Sequence, residues 1–261
     1  MSEDLILYQI EGKAAIITIN RPSKANSVNS EMLIEMHSRL VEADENEEVN
    51  CILIRSMGER FFSAGYDLKE IQGDPAKSKM VAKWGRKVNE TIMTIKKPVI
   101  TQIQGIAVGF GVLLTVASDL RIFADRPQEE LYLRLPELYI NAFPQTGATI
   151  MPLLSFGASY AKNLLFSNKE ASLEDLKNIN FPTLVFPLKS LEEESLKFAK
   201  QLGELRMEYL FTTKSMMSIM SKARLRDCFD MEDECANYAT GPKKSMKELH
   251  DFIQGLYNKY T

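Results

Sequence analysis

A chain of 261 residues that is 45% apolar can bury a sizeable core, as one large domain or two smaller ones. Its formal charge of −3, from 32 Lys and Arg against 35 Asp and Glu, offers no basic footprint for nucleic acid. No apolar run reaches the roughly 20 residues that span a bilayer, the opening Met-Ser-Glu-Asp is unlike a signal peptide, and Cys51, Cys228 and Cys235 show no C-x-x-C spacing, so the expectation is a cytoplasmic protein with free thiols and neither membrane nor nucleic acid as partner.

In chain order, 6–10 and 14–19 read as strands around an Glu11-Gly12-Lys13 turn. Beyond the Arg21-Pro22-Ser23-Lys24 loop, Ser30 is placed as the cap of a helix through Val41, with Met32, Leu33, Met36 and Leu40 on its apolar stripe. The strand at 51–55 leads into Phe61-Phe62-Ser63-Ala64-Gly65-Tyr66-Asp67-Leu68, and a short helix at 67–71 ends at Gly73-Asp74-Pro75. Residues 79–95 repeat apolar positions at helical spacing. A second strand, 98–103, then runs into Gly105-Ile106-Ala107-Val108-Gly109-Phe110-Gly111 and a buried helix at 111–118. After a strand at 120–124 come a loop or short helix at 137–140, helices at 149–154 and 158–166, and a last strand at 181–186. From there the pattern is helical: 191–205, 208–220, 226–238 and 245–260. The outline is an α/β fold over 1–190 followed by a helical region over 191–261.

The two small-residue segments share a form. Each follows an apolar strand and enters a helix, so each can present a backbone N–H where a helix N-terminus favours negative charge. Two such donors aimed at one point would hold a carbonyl oxygen that becomes an oxyanion. The second segment fails as a dinucleotide fingerprint, because Leu114 stands at the third glycine position and no P-loop lysine follows.

Together these stretches resemble the enoyl-CoA hydratase/isomerase (crotonase) superfamily. Residues 61–68 resemble F-x-A-G-A-D-[LI], with Tyr66 at a position that is usually small. Residues 104–111 resemble N-G-x-A-x-G-x-G, with Gln104 in place of Asn. The resemblance implies a spiral of ββα units with a C-terminal α-helical region for trimerisation, giving a homotrimer or a dimer of trimers. It implies Tyr66 and Phe110 as the oxyanion donors, with Gly109 beside them. Ala64, Asp67 and Leu68 would border coenzyme A. The stretch 20–28 resembles N-R-P-x-x-x-N-A-L, which assigns Lys24, Ala25 and Ser27 to the nucleotide end. The substrate would be an acyl-CoA thioester, with no metal and no cofactor beyond the coenzyme A that the substrate carries.

Residues 135–147 resemble x-P-E-x-x-[LI]-G-x-x-P-x-x-G, which makes Glu137 the candidate acid/base. Hydratases of the family pair it with a second glutamate, at the position of Leu113 here, and another isomerase branch places its glutamate at the position of Gln145. Hydration needs a water deprotonated and C2 protonated, whereas shifting a double bond from C3 to C2 needs one base that moves a proton from C2 to C4. One glutamate facing a leucine therefore favours the isomerase. A hydratase with a substitute carboxylate and a non-catalytic acyl-CoA-binding relative are the alternatives. His37 and His250 read as helix-surface residues, and no hydrolase or metal-site motif is present. The family's C-terminal lysine is replaced by Gly255, with Lys259 as a weak substitute.

Overall fold

The computed structural model describes residues 4–260, and at 220–223 the backbone alone. Strands β1 (Ile6–Glu11) and β2 (Ala14–Ile19) form a hairpin, with Ile6 opposite Ile19. Helix α1 (Ser30–Glu45) begins one residue after its cap. Asn29, not Ser30, accepts the Met32 N–H, while the Ser30 hydroxyl donates to Glu70 Oε1 at 2.5 Å. The helix also continues past Val41, to Glu45. Next come β3 (Cys51–Ser56), β4 (Phe61–Ser63), α2 (Leu68–Ile71) and α3 (Pro75–Thr94). The Gly73-Asp74-Pro75 breaker also starts a helix: Asp74 accepts the N–H groups of Ala76 and Lys77, and Pro75 needs no donor at the first helical position. Hence α3 begins at 75 rather than 79.

Strands β5 (Val99–Ile103) and β6 (Ile106–Val108) precede α4 (Phe110–Ala117), every residue of which is buried. Strands β7 (Leu120–Asp125) and β8 (Tyr132–Arg134) lead to a 3₁₀ turn at Glu137–Ile140, then α5 (Ile150–Phe156) and α6 (Ala158–Ser167). After β9 (Ala171–Ser172), α7 (Leu173–Asn178) and β10 (Leu184–Pro187) the chain is helical: α8 (Leu188–Gly203), α9 (Met207–Ala239) and α10 (Met246–Tyr260). The segments expected at 208–220 and 226–238 belong to one helix of 33 residues, since Ser221-Lys222-Ala223-Arg224-Leu225 contains nothing that would stop it.

The strands divide between a six-stranded sheet, in the order β1-β2-β3-β5-β7-β10, and a four-stranded sheet, β4-β6-β8-β9. Three times in succession the chain gives a strand to the larger sheet, a strand to the smaller one, and then a helix. This is the ββα spiral. Parallel pairing from β2 to β10 buries the larger sheet on both faces, which is why Ala14–Ile19 and Val99–Ile103 are buried throughout. Helix α8 crosses that sheet, while α1 and α3 pack on each other. Lys214 fastens α9 to the core: its buried ammonium donates to the carbonyls of Ile92 and Lys97 and to Asp119 Oδ2 at 2.6 Å. His37 is half-buried, edge-on to Trp84 at 5.5 Å, and so departs from a surface reading; burial lowers its pKa first and Lys87 lowers it further. His250 is exposed. No described helix is long and apolar enough to cross a membrane.

Candidate active site

The β4–α2 turn is fixed by the loop before α1. Val28 and Tyr66 form an isolated parallel bridge in which Val28 N–H donates to Gly65 O and Asp67 N–H donates to Val28 O, both at 2.8 Å. In a parallel bridge these bonds fall on the residues either side of Tyr66, so Tyr66's own N–H faces away from Val28. Ala64 N–H donates to Ala25 O at 2.9 Å, and Asn26 Nδ2 donates to the carbonyls of Met57 and Phe61, at 2.8 and 2.9 Å. The stretches around Lys24–Ser27 and Ala64–Leu68 therefore lie side by side, with Lys24 and Leu68 exposed and Ala25, Ser27 and Ala64 half-buried. Asp67 is engaged within the protein. Its carboxylate pairs with Arg21 at 2.7 Å and takes the Lys69 N–H. Partial burial alone would raise that carboxyl, but the Arg21 and Lys69 bonds, with the charges of Arg21 and Lys24, hold it below the usual range.

The second turn meets the first at Gly65. This residue sits at φ +87, and a Cβ there would lie 2.8 Å from Val108 O and 3.2 Å from Phe110 N, so only glycine lets the two turns touch. Gly109, at φ +53, donates to Arg134 O at 2.9 Å and starts α4. Among the described residues neither the Tyr66 N–H nor the Phe110 N–H meets an acceptor. Gln104, standing for the expected Asn, laces the approach: its Nε2 donates to Ser56 Oγ, Gly58 O and Phe61 O at 2.8, 2.9 and 3.1 Å.

Glu137 comes to the same place from the end of β8. Its Oε1 lies 3.5 Å from where a Cβ of Gly109 would stand, and its Oε2 is buried without a partner. Burial pushes the Glu137 carboxyl up to about 7, and the charge of Glu232 adds to this. Leu113 is buried one turn into α4, its N–H on Gly109 O at 3.1 Å. Gln145 instead lines a cleft of about 1020 Å³ between α3 and α9. Gly255 is exposed on α10, and Lys259 pairs with Glu234. Among the described residues no three His, Cys, Asp or Glu side chains cluster closely enough to hold a metal ion.

The Tyr66 side chain and Glu232 lie outside the motif reading. Tyr66 carries its ring across to α3, stacked on Phe110 at 4.8 Å, and its hydroxyl donates to Thr146 Oγ1 at 3.0 Å; burial raises that hydroxyl's pKa. Glu232 of α9, 3% exposed, accepts from Gly147 N at 2.6 Å and from Thr149 N and Oγ1 at 2.9 and 2.5 Å. Burial raises its pKa against these bonds, which lower it. The signal for Glu232 was its spacing, an acid on the stripe of Leu225, Phe229 and Ala236, all of them buried.

A family model described as enoyl-CoA hydratase/isomerase matches residues 9–260. The short-chain-enoyl-CoA hydratase of Clostridium acetobutylicum is 27% identical over 198 residues, covering 76% of this chain and 74% of that protein. The mitochondrial enoyl-CoA hydratase of Pongo abelii is 26% identical over 235 residues, 87% of this chain and 75% of its own. The crystal structure of an enoyl-CoA hydratase from Bacillus anthracis superposes with a TM-score of 0.79 at 25% identity, covering 97% of each chain.

Proposed function

Because the chain belongs to the enoyl-CoA hydratase/isomerase family, we propose that it acts on acyl-CoA thioesters and shifts a 3-enoyl double bond to the 2-position. The observation that carries this reading is a single half-buried carboxyl, poised near 7, beside two turns whose N–H groups are unclaimed. With the thioester oxygen between Tyr66 N–H and Phe110 N–H, negative charge that develops on it is stabilised as it forms. Glu137 then takes a proton from C2, and the C–H electron pair moves into the C1–C2 bond as the carbonyl electrons pass to the thioester oxygen, giving a dienolate. The same carboxyl returns the proton at C4 as the oxygen's charge collapses back, the carbonyl re-forms and the double bond settles between C2 and C3. Lys24, Ala25, Ser27, Ala64 and Leu68 are assigned to the coenzyme A end, with Asp67 holding Arg21 and the α2 cap beneath it. Gly109 and Leu113 line the reacting end. This chemistry asks for no cofactor beyond the substrate's own coenzyme A.

Hydration is the second reading, favoured by the names of the relatives above. It requires a second carboxyl for water, and Leu113 stands where the family keeps one. Glu232 is near enough to affect Glu137's ionisation, yet both its oxygens are committed to Gly147 and Thr149. Measured turnover of 3-enoyl-CoA and of 2-enoyl-CoA separates the readings. Isomerisation well above hydration is expected, and efficient hydration by the parent would overturn the isomerase assignment.

A homotrimer, or a dimer of trimers, is the assembly we propose. It is supported by exposed Leu138, Tyr139 and Ile140 beside exposed Phe166, by exposed Leu153 and Leu154 on α5, and by α10, which buries no residue within the chain.

A further inference from the structure

The Tyr66 side chain closes one end of the site. Its hydroxyl reaches α3 only because residue 85 is glycine; a Cβ there would overlap the phenol oxygen. Gly85 and Thr146 form two jaws around that hydroxyl, and Phe110 backs the ring. The Thr146 jaw is held from behind. Asn89 Nδ2 donates to Thr146 O at 2.8 Å, and Glu232 grips the next residues through Gly147 and Thr149. Just past the jaws lies the α3–α9 cleft, lined by Ala82, Arg86 and Gln145. Ala82 and Arg86 flank Gly85 on α3, and Gln145 adjoins Thr146. The phenol ring thus stands between Phe110, which opens α4 beside Glu137, and the stretch of α3 whose neighbouring residues border that cleft.

Resting on the acyl-CoA reading above, we propose that Tyr66 sets the acyl length, its ring in the Gly85 notch stopping all but short chains. An acyl group with its oxygen between the two turns and its C2 near Glu137 meets the Tyr66–Phe110 pair after a few carbons. A longer chain must drive the ring out of its notch. That gives up the Thr146 hydrogen bond and the aromatic stack together.

The test uses saturated acyl-CoAs, which bind without reacting, so length preference is read apart from turnover. Butyryl-CoA and decanoyl-CoA are titrated calorimetrically into the parent, Tyr66→Ala and Tyr66→Phe. The parent should bind butyryl-CoA at least about tenfold tighter than decanoyl-CoA, since filling or overfilling an apolar pocket by a methylene already shifts binding by about that factor. Tyr66→Phe keeps the ring and should keep the preference, whereas Tyr66→Ala should erase or invert it. Equal binding of both by the parent overturns the length limit even if no variant folds. An unchanged preference in Tyr66→Ala overturns Tyr66 as the stop. A parent that binds neither ligand removes the acyl-CoA reading itself, and the length limit with it.

Discussion

At the scale of single residues the chemistry turns on Glu137. One carboxyl oxygen is buried without a donor, so ionisation costs solvation that a hydrogen bond from the residue's own backbone N–H returns only in part, and the charge of Glu232 adds to the cost. The carboxyl is therefore raised from 4.5 to about 7. The native state thus holds this proton more firmly than the unfolded chain. Its contribution to stability is fully present below the unfolded value and is lost as pH rises toward 7. At pH 8 Glu137→Gln should be more stable than the parent by about 1–3 kcal/mol, read from urea midpoints, with the gap closing below pH 4.5. The same carboxyl must be ionised to act as a base, so kcat/KM for isomerisation should fall on the acid side of about 7. An acid limb near 4–5 would point to a different base. The two donor turns could be singled out because a strand running through small residues into a helix has a mechanical reason, whereas Glu137 was singled out by the resemblance of residues 135–147 alone. Glu232 was not: α9 is rich in charge, and only its place on a buried stripe sets this acid apart from Glu208 or Glu234. The route of the Tyr66 side chain was equally hidden, because it depends on a glycine on a different helix.

Among the elements, caps and a long helix do most to define the site's frame. Asn29 holds the first turn of α1, and Asn29→Ala should cost about 1 kcal/mol in denaturant unfolding, whereas Ser30→Ala should leave the cap intact and lose only the Glu70 bond. Helix α9 reaches the site through Glu232, whose carboxylate satisfies the N–H groups of Gly147 and Thr149 ahead of α5. Removing it in Glu232→Ala leaves these buried donors unpaired, at a cost of about 2–4 kcal/mol. It should also lower isomerase turnover by loosening the Thr146 jaw, and full activity with full stability would contradict that role. The larger sheet was readable from its apolar runs. Strands β4, β6, β8 and β9 have only two or three residues, too few for alternation to register, although they carry the turns that matter most. Helix boundaries failed where one residue served two purposes, as with the breaker at Asp74-Pro75.

For the whole molecule, the ββα spiral explains why residues far apart in sequence meet. Each unit adds one short strand to the smaller sheet, so the ends of β4, β6 and β8 deliver Tyr66, Phe110 and Glu137 to one edge. The apolar face at Leu138–Ile140 begins directly beside Glu137, so the proposed subunit contact and the reacting end share a turn. Light scattering should give the mass of three or six chains of 29.6 kDa, and a monomer at micromolar concentration would contradict the assembly. The family's overall shape followed from the motifs, but the reaction did not, because it rests on which side chains are missing.

The central claim is that one carboxyl moves the proton, and the most direct measurement is the isomerisation rate of a short 3-enoyl-CoA by the parent and by Glu137→Gln. The expected result is a loss of about 10²–10⁴ in kcat, with acyl-CoA affinity within a few-fold of the parent's. Retention of full isomerase activity by Glu137→Gln would show that the base lies elsewhere.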